Sequence, residues 1–334
     1  MNFRSVAQLS DRVLAWSKRL PRDIDAVVGI PRSGLLVANL LAVYRNVPLA
    51  DVEGLLEGRC LTTGGTKIGS LVSEDVSSFL DTPRNLLVVD DSIGSGGTMA
   101  RTRERLASSG LAHRIRYGVV YAAPDMVGAV DFHAETLHFP RMFEWNVLQS
   151  LALRTACVDI DGVLCHDPSG RENDDGERYL EFLRTSPPLL RPQITIGWLV
   201  TSRLEKYRPE TEAWLDAHNV RYNHLVMLEY PDQDTRMRMH THAAHKAQVY
   251  RDSGAELFIE SNVRQAVEIA TLAGKDVLCI DTMQMVTPGA LPVARPAASL
   301  TDAQMPSLPR RLVAQYVPEP TKQVLRDVRR RLKN

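Results

Sequence analysis

The chain contains 334 residues, enough for two domains of ordinary size. Lysine plus arginine and aspartate plus glutamate both number 40, so no net charge draws the protein toward nucleic acid, and we expect no nucleic-acid partner. The four cysteines lie far apart without a CxxC pair, which argues against a zinc site or a disulfide framework. The sequence shows neither a signal-peptide pattern nor an apolar run near the roughly 18 residues of a membrane span, which predicts a soluble, cytoplasmic protein.

The first predicted elements alternate between helix and strand. Ser5 and Gln8 have the spacing of a capping box, and apolar residues then recur at helical intervals, which predicts an amphipathic helix. Residues 26–30 form a short apolar run typical of a buried strand. A turn leads from this strand into a second helical stretch and reads PRSG. Its arginine, Arg32, is placed to bind an anion through a bidentate contact.

The most informative stretch is residues 85–105, which reads NLLVVDDSIGSGGTMARTRER. An apolar run at 86–89 predicts a buried strand that ends at the acidic pair Asp90 and Asp91. A loop of small residues at 92–98 follows, and then a segment of helical composition. Glycines let such a loop curl around a phosphate, while its N–H groups and the helix dipole attract negative charge. The residues expected to form this phosphate loop are Gly94, Ser95, Gly96, Gly97 and Thr98.

The acidic pair restricts which phosphate ligand fits. Two carboxylates directly before a phosphate loop repel a bare nucleotide phosphate. They suit a ligand that carries vicinal hydroxyl groups, or a bound Mg²⁺, beside its phosphate. A sugar phosphate therefore fits this stretch better than ATP. The loop is also not a Walker motif, because no Gly-Lys-Ser/Thr ends it.

The sequence VVDDSIGSGGT resembles the phosphoribosyl pyrophosphate (PRPP) signature of type I phosphoribosyltransferases. This resemblance implies that Asp90 and Asp91 hold the ribose hydroxyls of PRPP and that the glycine-rich loop holds its 5-phosphate, with Mg²⁺ at the site. The earlier sequence GIPRSGL resembles the pyrophosphate loop of the same family. The residues that it would place on the pyrophosphate are Arg32, Ser33 and Gly34.

Two further features of the first half leave alternatives open. Residues 51–78 are rich in glycine and threonine, and in the family a mobile loop at this place closes over the pyrophosphate and excludes water. Arg59 or Lys67 would supply its cation, or both are simply solvated. An aromatic cluster at 138–145 follows, in which Trp145 either forms a platform for the acceptor or packs at the domain junction.

A second apolar strand ending in acids begins near residue 156. Asp159 and Asp161 are separated by one residue, so both side chains leave the strand end on the same side. One carboxylate can attack phosphorus as a nucleophile, while the other protonates the leaving oxygen and then activates water. Mg²⁺ would neutralise this clustered charge together with the phosphate.

The sequence DIDGVL resembles the first motif of haloacid-dehalogenase (HAD)-type phosphatases, and the other motifs of that family follow in order. The resemblance implies that Asp159 is the nucleophile and that Asp161 is the acid and base. Thr201, in Thr-Ser-Arg, would bind phosphate, and Lys246 would steady the aspartyl phosphate. Glu260 would complete the metal site with the two aspartates.

The last motif departs from the family pattern. Many members have two acids there, whereas Ser261 follows Glu260 in this chain, so Asn262 or water would complete the metal shell. The segments between the motifs are too short for a full cap domain, which suits a phosphate displayed on a large molecule. Three nearby histidines either form a metal cluster or lie exposed on a polar segment. They are His240, His242 and His245.

The end of the chain differs in composition from the rest. Residues 287–309 are rich in proline and alanine, which predicts an extended linker or a surface wrap. Residues 310–334 carry eight basic and two acidic side chains. This basic tail either draws the protein peripherally to an anionic membrane surface or a lipid diphosphate, or packs on the body as a helix with its charges in water.

We therefore predict an α/β protein with two Rossmann-like domains. Residues 1–150 would have the phosphoribosyltransferase type I fold, residues 151–290 a HAD-like fold with a minimal cap, and residues 291–334 would be linker and tail. The resemblances imply transfer of 5-phosphoribosyl from PRPP to an acceptor, followed by removal of the 5-phosphate. This pairing resembles the two-domain enzymes that place ribofuranose in bacterial polysaccharides, where the acceptor is a lipid-linked glycan. The alternatives are a nucleobase or small-molecule phosphoribosyltransferase with a housekeeping phosphatase, and a PRPP-sensing regulator.

Overall fold

The computed structural model describes residues 1–61, 80–232, 235 and 242–289. Most of the predicted closing loop, including Lys67, lies outside these described residues. His240 and the basic tail at 310–334 also lie outside them, as does the Pro/Ala-rich segment beyond residue 289.

The first sheet is parallel throughout, and helices cover both of its faces. The elements of this half are β1 (Asn2–Arg4), α1 (Val6–Ser17), β2 (Ala26–Gly29), α2 (Ser33–Arg45), β3 (Leu49–Asp51), α3 (Val52–Leu56), β4 (Asn85–Ile93), α4 (Gly97–Ala107), β5 (Arg114–Ala122), β6 (Phe132–Thr136) and β7 (Arg141–Phe143). The strand order is β3-β2-β4-β5-β6. Helices α1 and α2 contribute to the core on one face, and α3 and α4 to the core on the other.

Helix α1 begins where the sequence predicts. The Gln8 N–H donates to Ser5 Oγ (3.2 Å) and the Ser5 N–H donates to Gln8 Oε1 (2.9 Å), so the predicted capping box is present. Leu9, Val13 and Trp16 recur along one side of the helix and are buried against α2 and the sheet. The prediction of a packed amphipathic helix is confirmed.

Strand β4 is longer than the sequence predicts. Residues 86–89 are fully buried, as expected, but the strand continues through the acidic pair to Ile93. It does so because β5 runs beside it as far as Ala122 and supplies hydrogen-bonding partners. Helix α4 already begins at Gly97, so the predicted loop at 92–98 is much shorter than expected.

The second sheet is also layered between helices. Its elements are β8 (Cys157–Val158), α5 (Glu177–Thr185), β9 (Ile196–Leu204), α6 (Arg208–Ala217), β10 (Tyr222–Leu228), α7 (His242–Asp252), β11 (Phe258–Glu260), α8 (Val263–Ala273), β12 (Val277–Cys279) and β13 (Gln284–Val286). The strand order is β10-β9-β8-β11-β12-β13. The pairs are parallel except for β12 with β13, which is antiparallel. The apolar run at 277–280 predicts the last strand of this half, which is wrong because β13 follows β12.

The two sheets lie in one compact unit, Met1–Pro292. Strand β1 pairs in parallel with β7, and the amino group of Met1 forms an ion pair with Asp276 (3.2 Å). Val147, which follows β7, is buried in the core beneath the second sheet. Both sheets confirm the α/β prediction. Among the described residues, no helix combines the length and apolarity that spanning a membrane requires.

Candidate active sites

The acidic pair lies near the carboxyl end of the first sheet, beside the turn that follows β2. Asp91 is only 4% exposed, and each of its oxygens accepts a hydrogen bond from a neutral donor. Ser33 Oγ donates to Oδ1 (2.8 Å) and Trp145 Nε1 donates to Oδ2 (2.7 Å). Asp90 is more exposed, and its Oδ1 accepts the Asp91 N–H (2.8 Å). The structure thus brings the two predicted PRPP motifs into direct contact.

Among the described residues, the charge of Arg141 acts on Asp91 without forming an ion pair, so the negative charge of the acidic pair is balanced only in part. Neither carboxylate forms an ion pair with a lysine or arginine in the described part of the chain. Burial raises the pKa of Asp90 to about 8, and the neighbouring charge of Asp91 adds to the increase. A ligand that brings hydroxyl donors or a cation would relieve this cost. Two hard carboxylate groups are also a donor set that fits Mg²⁺.

The predicted pyrophosphate loop packs directly on β4. Gly34 lies in the first turn of α2, where an added Cβ would be 2.6 Å from the Val89 carbonyl oxygen and 3.0 Å from Asp90 Oδ1. A larger residue would push the loop away from the acidic pair. Gly34 therefore allows the close approach of the two motifs.

Arg32 is exposed at the same end of the sheet and is held by neutral groups. Its Nη2 donates to Asn146 Oδ1 (3.0 Å) and to Gln149 Oε1 (3.2 Å). Both acceptors lie in the 3₁₀ segment Glu144–Gln149. Amide oxygens orient a guanidinium without cancelling its charge, so Arg32 keeps the full positive charge that an anion requires.

The predicted phosphate loop leads from β4 into α4. Gly96 has a left-handed backbone (φ 77°), and an added Cβ there would be 2.5 Å from the side chain of Met126. Gly97 begins the helix, so the N–H groups of its first turn open near the acidic pair. Ser95 and Thr98 are exposed at this end. These features suit a phosphate.

Neither alternative from the sequence, an acceptor platform or packing at the domain junction, fully describes Trp145. Its ring stacks on Phe143 (5.0 Å between centroids) and packs on the core of the first sheet, while its N–H reaches Asp91. It therefore supports the acidic pair from within the fold. Arg59 pairs with Glu57 on the surface. Lys67, the other predicted cation, lies outside the described residues.

Sequence reasoning missed a cation beside the phosphate loop. Arg141 Nη2 donates to the Ile93 carbonyl (2.7 Å), and the guanidinium lies over the exposed ring of Phe139 (4.6 Å). An added Cβ on Gly94 would be 3.2 Å from Nη2, so this glycine leaves room for the arginine. The only hint in the sequence was the aromatic cluster at 138–145, which contains Arg141.

At the second site, a buried lysine joins two buried carboxylates. Lys246 Nζ, on α7, donates to Asp159 Oδ2 (2.7 Å) and to Glu260 Oε2 (2.7 Å). It also donates to Gln265 Oε1 (3.1 Å). The exposed fractions are 4% for Asp159 and 1% for both Lys246 and Glu260. Three residues that the sequence predicts for one site therefore meet at the carboxyl end of the second sheet.

One ammonium group cannot neutralise all of the acids gathered here. Burial by itself lowers the pKa of Lys246, but Asp159 and Glu260 outweigh that effect and raise the pKa above its usual value. Burial raises the pKa of Asp159; Lys246 opposes this change, and the charges of Glu260 and Asp161 reinforce it. The site therefore keeps a surplus of negative charge.

Asp161 is fixed by a buried arginine that the sequence did not single out. Arg203 Nη2 donates to Asp161 Oδ1 (2.7 Å), and Nε lies 3.2 Å from each carboxylate oxygen. The other terminal nitrogen of the guanidinium, Nη1, donates to Thr211 Oγ1 (3.3 Å). Thr201 is fully buried two residues earlier and accepts the Arg203 N–H (3.2 Å). The arginine follows the predicted Thr-Ser pair, but its partner could not be read from the sequence.

Asn262, which the sequence offers together with water to complete the metal shell, caps a helix in the structure. Its side-chain oxygen caps α8 by accepting the N–H groups of Arg264 (2.9 Å) and Gln265 (3.1 Å). Glu260 Oε1 accepts the N–H groups of Ser261 and Asn262 (3.1 Å each). Asn262 therefore shapes the loop after β11, and its oxygen is already engaged by the helix.

The second-site residues line one cavity of about 330 Å³. Its lining includes Asp159, Asp161, Lys246, Glu260 and the additional acid Asp167. Burial raises the pKa of Asp167, and the charges of nearby carboxylates add to the effect. This surplus of hard oxygen donors fits Mg²⁺, which the three predicted ligands Asp159, Asp161 and Glu260 would hold.

A metal site is not preformed, however. In the described ranges, no group of three or more His, Cys, Asp or Glu side chains is arranged to hold a metal ion. Lys246 engages two of the predicted ligands and Arg203 the third. His242 lines the cavity, and the described histidines form no metal cluster.

The comparisons with known proteins concern the first half of the chain. Residues 3–148 match the family model described as the phosphoribosyl transferase domain. This part of the chain is therefore a phosphoribosyltransferase domain with the type I parallel-sheet fold. No curated protein matches the chain.

Solved phosphoribosyltransferases are among the structural matches. One is the purine phosphoribosyltransferase from Pyrococcus horikoshii, with 20% identity, a TM-score of 0.31 and coverage of 43% of this chain and 92% of that one. Another is the xanthine-guanine-hypoxanthine phosphoribosyltransferase from Helicobacter pylori, with 12% identity, a TM-score of 0.31 and coverage of 44% and 92%. These values are too low to transfer a substrate to this chain.

Proposed function

We propose that the protein is a bifunctional enzyme that transfers 5-phosphoribosyl from PRPP to an acceptor and then hydrolyses the 5-phosphate. The transferase step is supported by the family match and by the contact between the acidic pair and the pyrophosphate loop. Asp90 and Asp91 would receive the ribose hydroxyls, the loop from Gly94 to Thr98 the 5-phosphate, and Arg32 the pyrophosphate. Attack by an acceptor hydroxyl at the anomeric carbon would form a glycosidic bond and release pyrophosphate.

The observation that carries the second activity is Lys246 between Asp159 and Glu260. This arrangement supports a HAD-type phosphatase. Asp159 would attack phosphorus while the ester oxygen leaves with a proton from Asp161. Water, deprotonated by Asp161, would then attack the aspartyl phosphate, releasing phosphate and regenerating Asp159. Lys246 would orient the nucleophile and favour its ionised form, and bound Mg²⁺ would neutralise the phosphate charge.

The pairing of the two activities points to the product. A transferase that installs ribose 5-phosphate and a phosphatase that removes its phosphate together leave a plain ribofuranosyl group. Nucleotide salvage needs to keep that phosphate, so the fusion favours a glycan acceptor over a nucleobase. A lipid-linked glycan in polysaccharide biosynthesis is the acceptor that we propose.

The proposed domain division follows the two sheets. Residues 1–150 would carry the transferase site, residues 151–290 the phosphatase site, and residues 291–334 the linker and basic tail. Between β8 and β9 the described elements include only one α-helix, α5, which suits a minimal cap over the cavity. Such a site would accept a phosphate at the end of a bulky glycan.

The decisive experiment is mass spectrometry of acceptors after incubation with PRPP and Mg²⁺. A lipid-linked glycan should gain ribose phosphate and then lose phosphate, whereas the Asp159→Asn variant should stop at the phosphorylated intermediate. A panel of nucleobases is the parallel arm. Transfer to a nucleobase without transfer to the glycan would overturn the proposed acceptor, and no transfer in either arm would overturn the transferase assignment.

The basic tail is proposed to hold the enzyme at the inner face of the cytoplasmic membrane. Deletion of residues 310–334 should weaken action on a lipid-linked acceptor and leave a short soluble acceptor unaffected. Each cation near an anionic surface contributes roughly 1 kcal/mol, and salt screens this attraction over about 8–10 Å. The defect should therefore shrink as ionic strength rises. Equal, salt-independent impairment on both acceptors would contradict a membrane role.

A further inference from the structure

The 3₁₀ segment Glu144–Gln149 contacts the first site at two separate points. Its Trp145 donates to Asp91 of the acidic pair. Its Asn146 and Gln149 accept from Arg32 of the pyrophosphate loop. Only the start of this segment belongs to the aromatic cluster noted in the sequence, yet the segment reaches both PRPP motifs.

We propose that this segment positions the transferase site, with Trp145 orienting the buried carboxylate that supports the acidic pair and the amide pair orienting the cation that faces the pyrophosphate. The proposal rests on the PRPP-binding role proposed above. In this proposal, Trp145 has one positioning task and the pair Asn146 and Gln149 has another. None of these three side chains reacts itself.

The indole is well suited to hold Asp91 in one orientation. Its ring stacks on Phe143 (5.0 Å) and lies 6.5 Å from the ring of Tyr121, so its own rotation is restricted. With Ser33 on the other oxygen, the carboxylate plane is held from two sides. Asp91 is buried while Asp90 is more exposed, so Asp90 presents the more accessible oxygens and Asp91 supports the pair.

The two contacts to Arg32 both use Nη2. Arg32 is exposed, so the rest of its guanidinium is accessible to a ligand. The acceptors are amides, and a carboxylate in their place would compete with the pyrophosphate for the guanidinium. Asn146 and Gln149 therefore fix the direction of Arg32 without weakening its attraction for an anion.

The segment is anchored from behind by the second half of the chain. Val147 is buried in the core beneath the second sheet, and the Leu148 carbonyl accepts the Gln193 N–H (3.1 Å). Trp145 and Gln149 are thus carried on a support that is fixed on the side facing away from the first site. This anchoring is what a positioning element requires.

The test is calorimetric binding of two ligands, PRPP and ribose 5-phosphate, both with Mg²⁺. All variants are prepared in the full chain with Asp159→Asn, so that the second site does not hydrolyse the ligands. Trp145→Phe keeps an aromatic ring, although a smaller one, and removes the N–H, so both ligands should bind about five- to tenfold more weakly. Gln149→Glu is isosteric and places a carboxylate on Arg32, so PRPP should bind about tenfold more weakly and ribose 5-phosphate less than about twofold.

Matched controls are Trp198→Phe, whose ring stacks on His224 in the second half, and Gln248→Glu on α7. Neither should change the binding of either ligand. Unchanged binding in Trp145→Phe and Gln149→Glu would overturn the proposal. It would also be overturned if Gln149→Glu weakened the binding of PRPP and ribose 5-phosphate equally. If Trp145→Phe does not fold, the ligand discrimination of Gln149→Glu decides alone. A parent chain that binds neither ligand would instead overturn the PRPP site itself, and the proposal with it.

Discussion

The two candidate sites hold their buried carboxylates in opposite ways. At the first site, Asp91 is held by the neutral donors of Ser33 and Trp145, and its charge is not cancelled. At the second site, Asp159 and Glu260 share the ammonium group of Lys246. Asp161 is paired there with the buried guanidinium of Arg203.

This difference shows what each arrangement is suited to do. Neutral donors orient a carboxylate and leave its charge for a ligand that brings hydroxyl groups or a cation. Buried cations oppose the protonation that burial favours, and a carboxylate nucleophile reacts in its ionised form. This contrast fits the two proposed functions, which are the binding of a polar ligand at the first site and covalent chemistry at the second. The following substitutions test this contrast.

The largest effect is expected from Asp159→Asn. An amide cannot replace the carboxylate as nucleophile, so hydrolysis of a phosphomonoester should fall by roughly three orders of magnitude or more. Pyrophosphate release from PRPP should remain, because the first site has its own sheet. A variant that still produces the dephosphorylated product would show that another group attacks phosphorus.

The converse substitution is the double variant Asp90→Asn with Asp91→Asn. Hydrogen bonds to charged groups are worth about 1.5–3 kcal/mol each, so losing two of them should lower the rate of pyrophosphate release by about 100-fold or more. Phosphatase activity, measured on the same preparation, should stay within about twofold of the wild-type value, because neither substitution lies in the second site. Near-normal transfer by the double variant would contradict the assignment of the first site.

A smaller effect is expected from Arg203→Lys. Lysine keeps the charge but cannot contact both oxygens of Asp161 and Thr211 together, so phosphatase turnover should fall about tenfold. The matched control is Arg208→Lys, which removes a similar fork to Glu205 on the surface. That control should leave turnover unchanged. Equal activity in both variants would mean that the position of Asp161 does not matter.

The smallest effect concerns the pH dependence of stability without ligand or Mg²⁺. Because the pKa of Asp90 is raised in the folded state from 3.8 to about 8, ionisation destabilises the fold progressively as pH rises between these values. Asp90→Asn removes this cost, so its melting temperature relative to wild type should increase from pH 5 to pH 8, by about a few degrees. Asp11→Asn, at an exposed position on α1, is the control. A difference that is the same at both pH values would contradict the uncompensated charge of the acidic pair.

Much of the molecule could be predicted from local patterns. The capping box at Ser5, the apolar run at 86–89 and the acids after β8 each depend on residues close in sequence, and the structure contains all three features. Errors arose where an element depends on its neighbour. Strand β4 extends to Ile93 because β5 continues beside it, and β13 forms because it pairs with β12.

The sequence by itself determined the chemistry available at each site, because strand ends in a parallel sheet meet at one edge and carry their motifs with them. Only the tertiary structure decided which groups hold those motifs. Trp145 reaches Asp91 across 54 residues, and Arg203 reaches Asp161 across 42. Such contacts depend on how the segment after β7 and the end of β9 pack, and a local pattern contains no information about a partner so distant along the chain. The sequence therefore indicated the groups proposed to react, and packing selected the side chains that hold them.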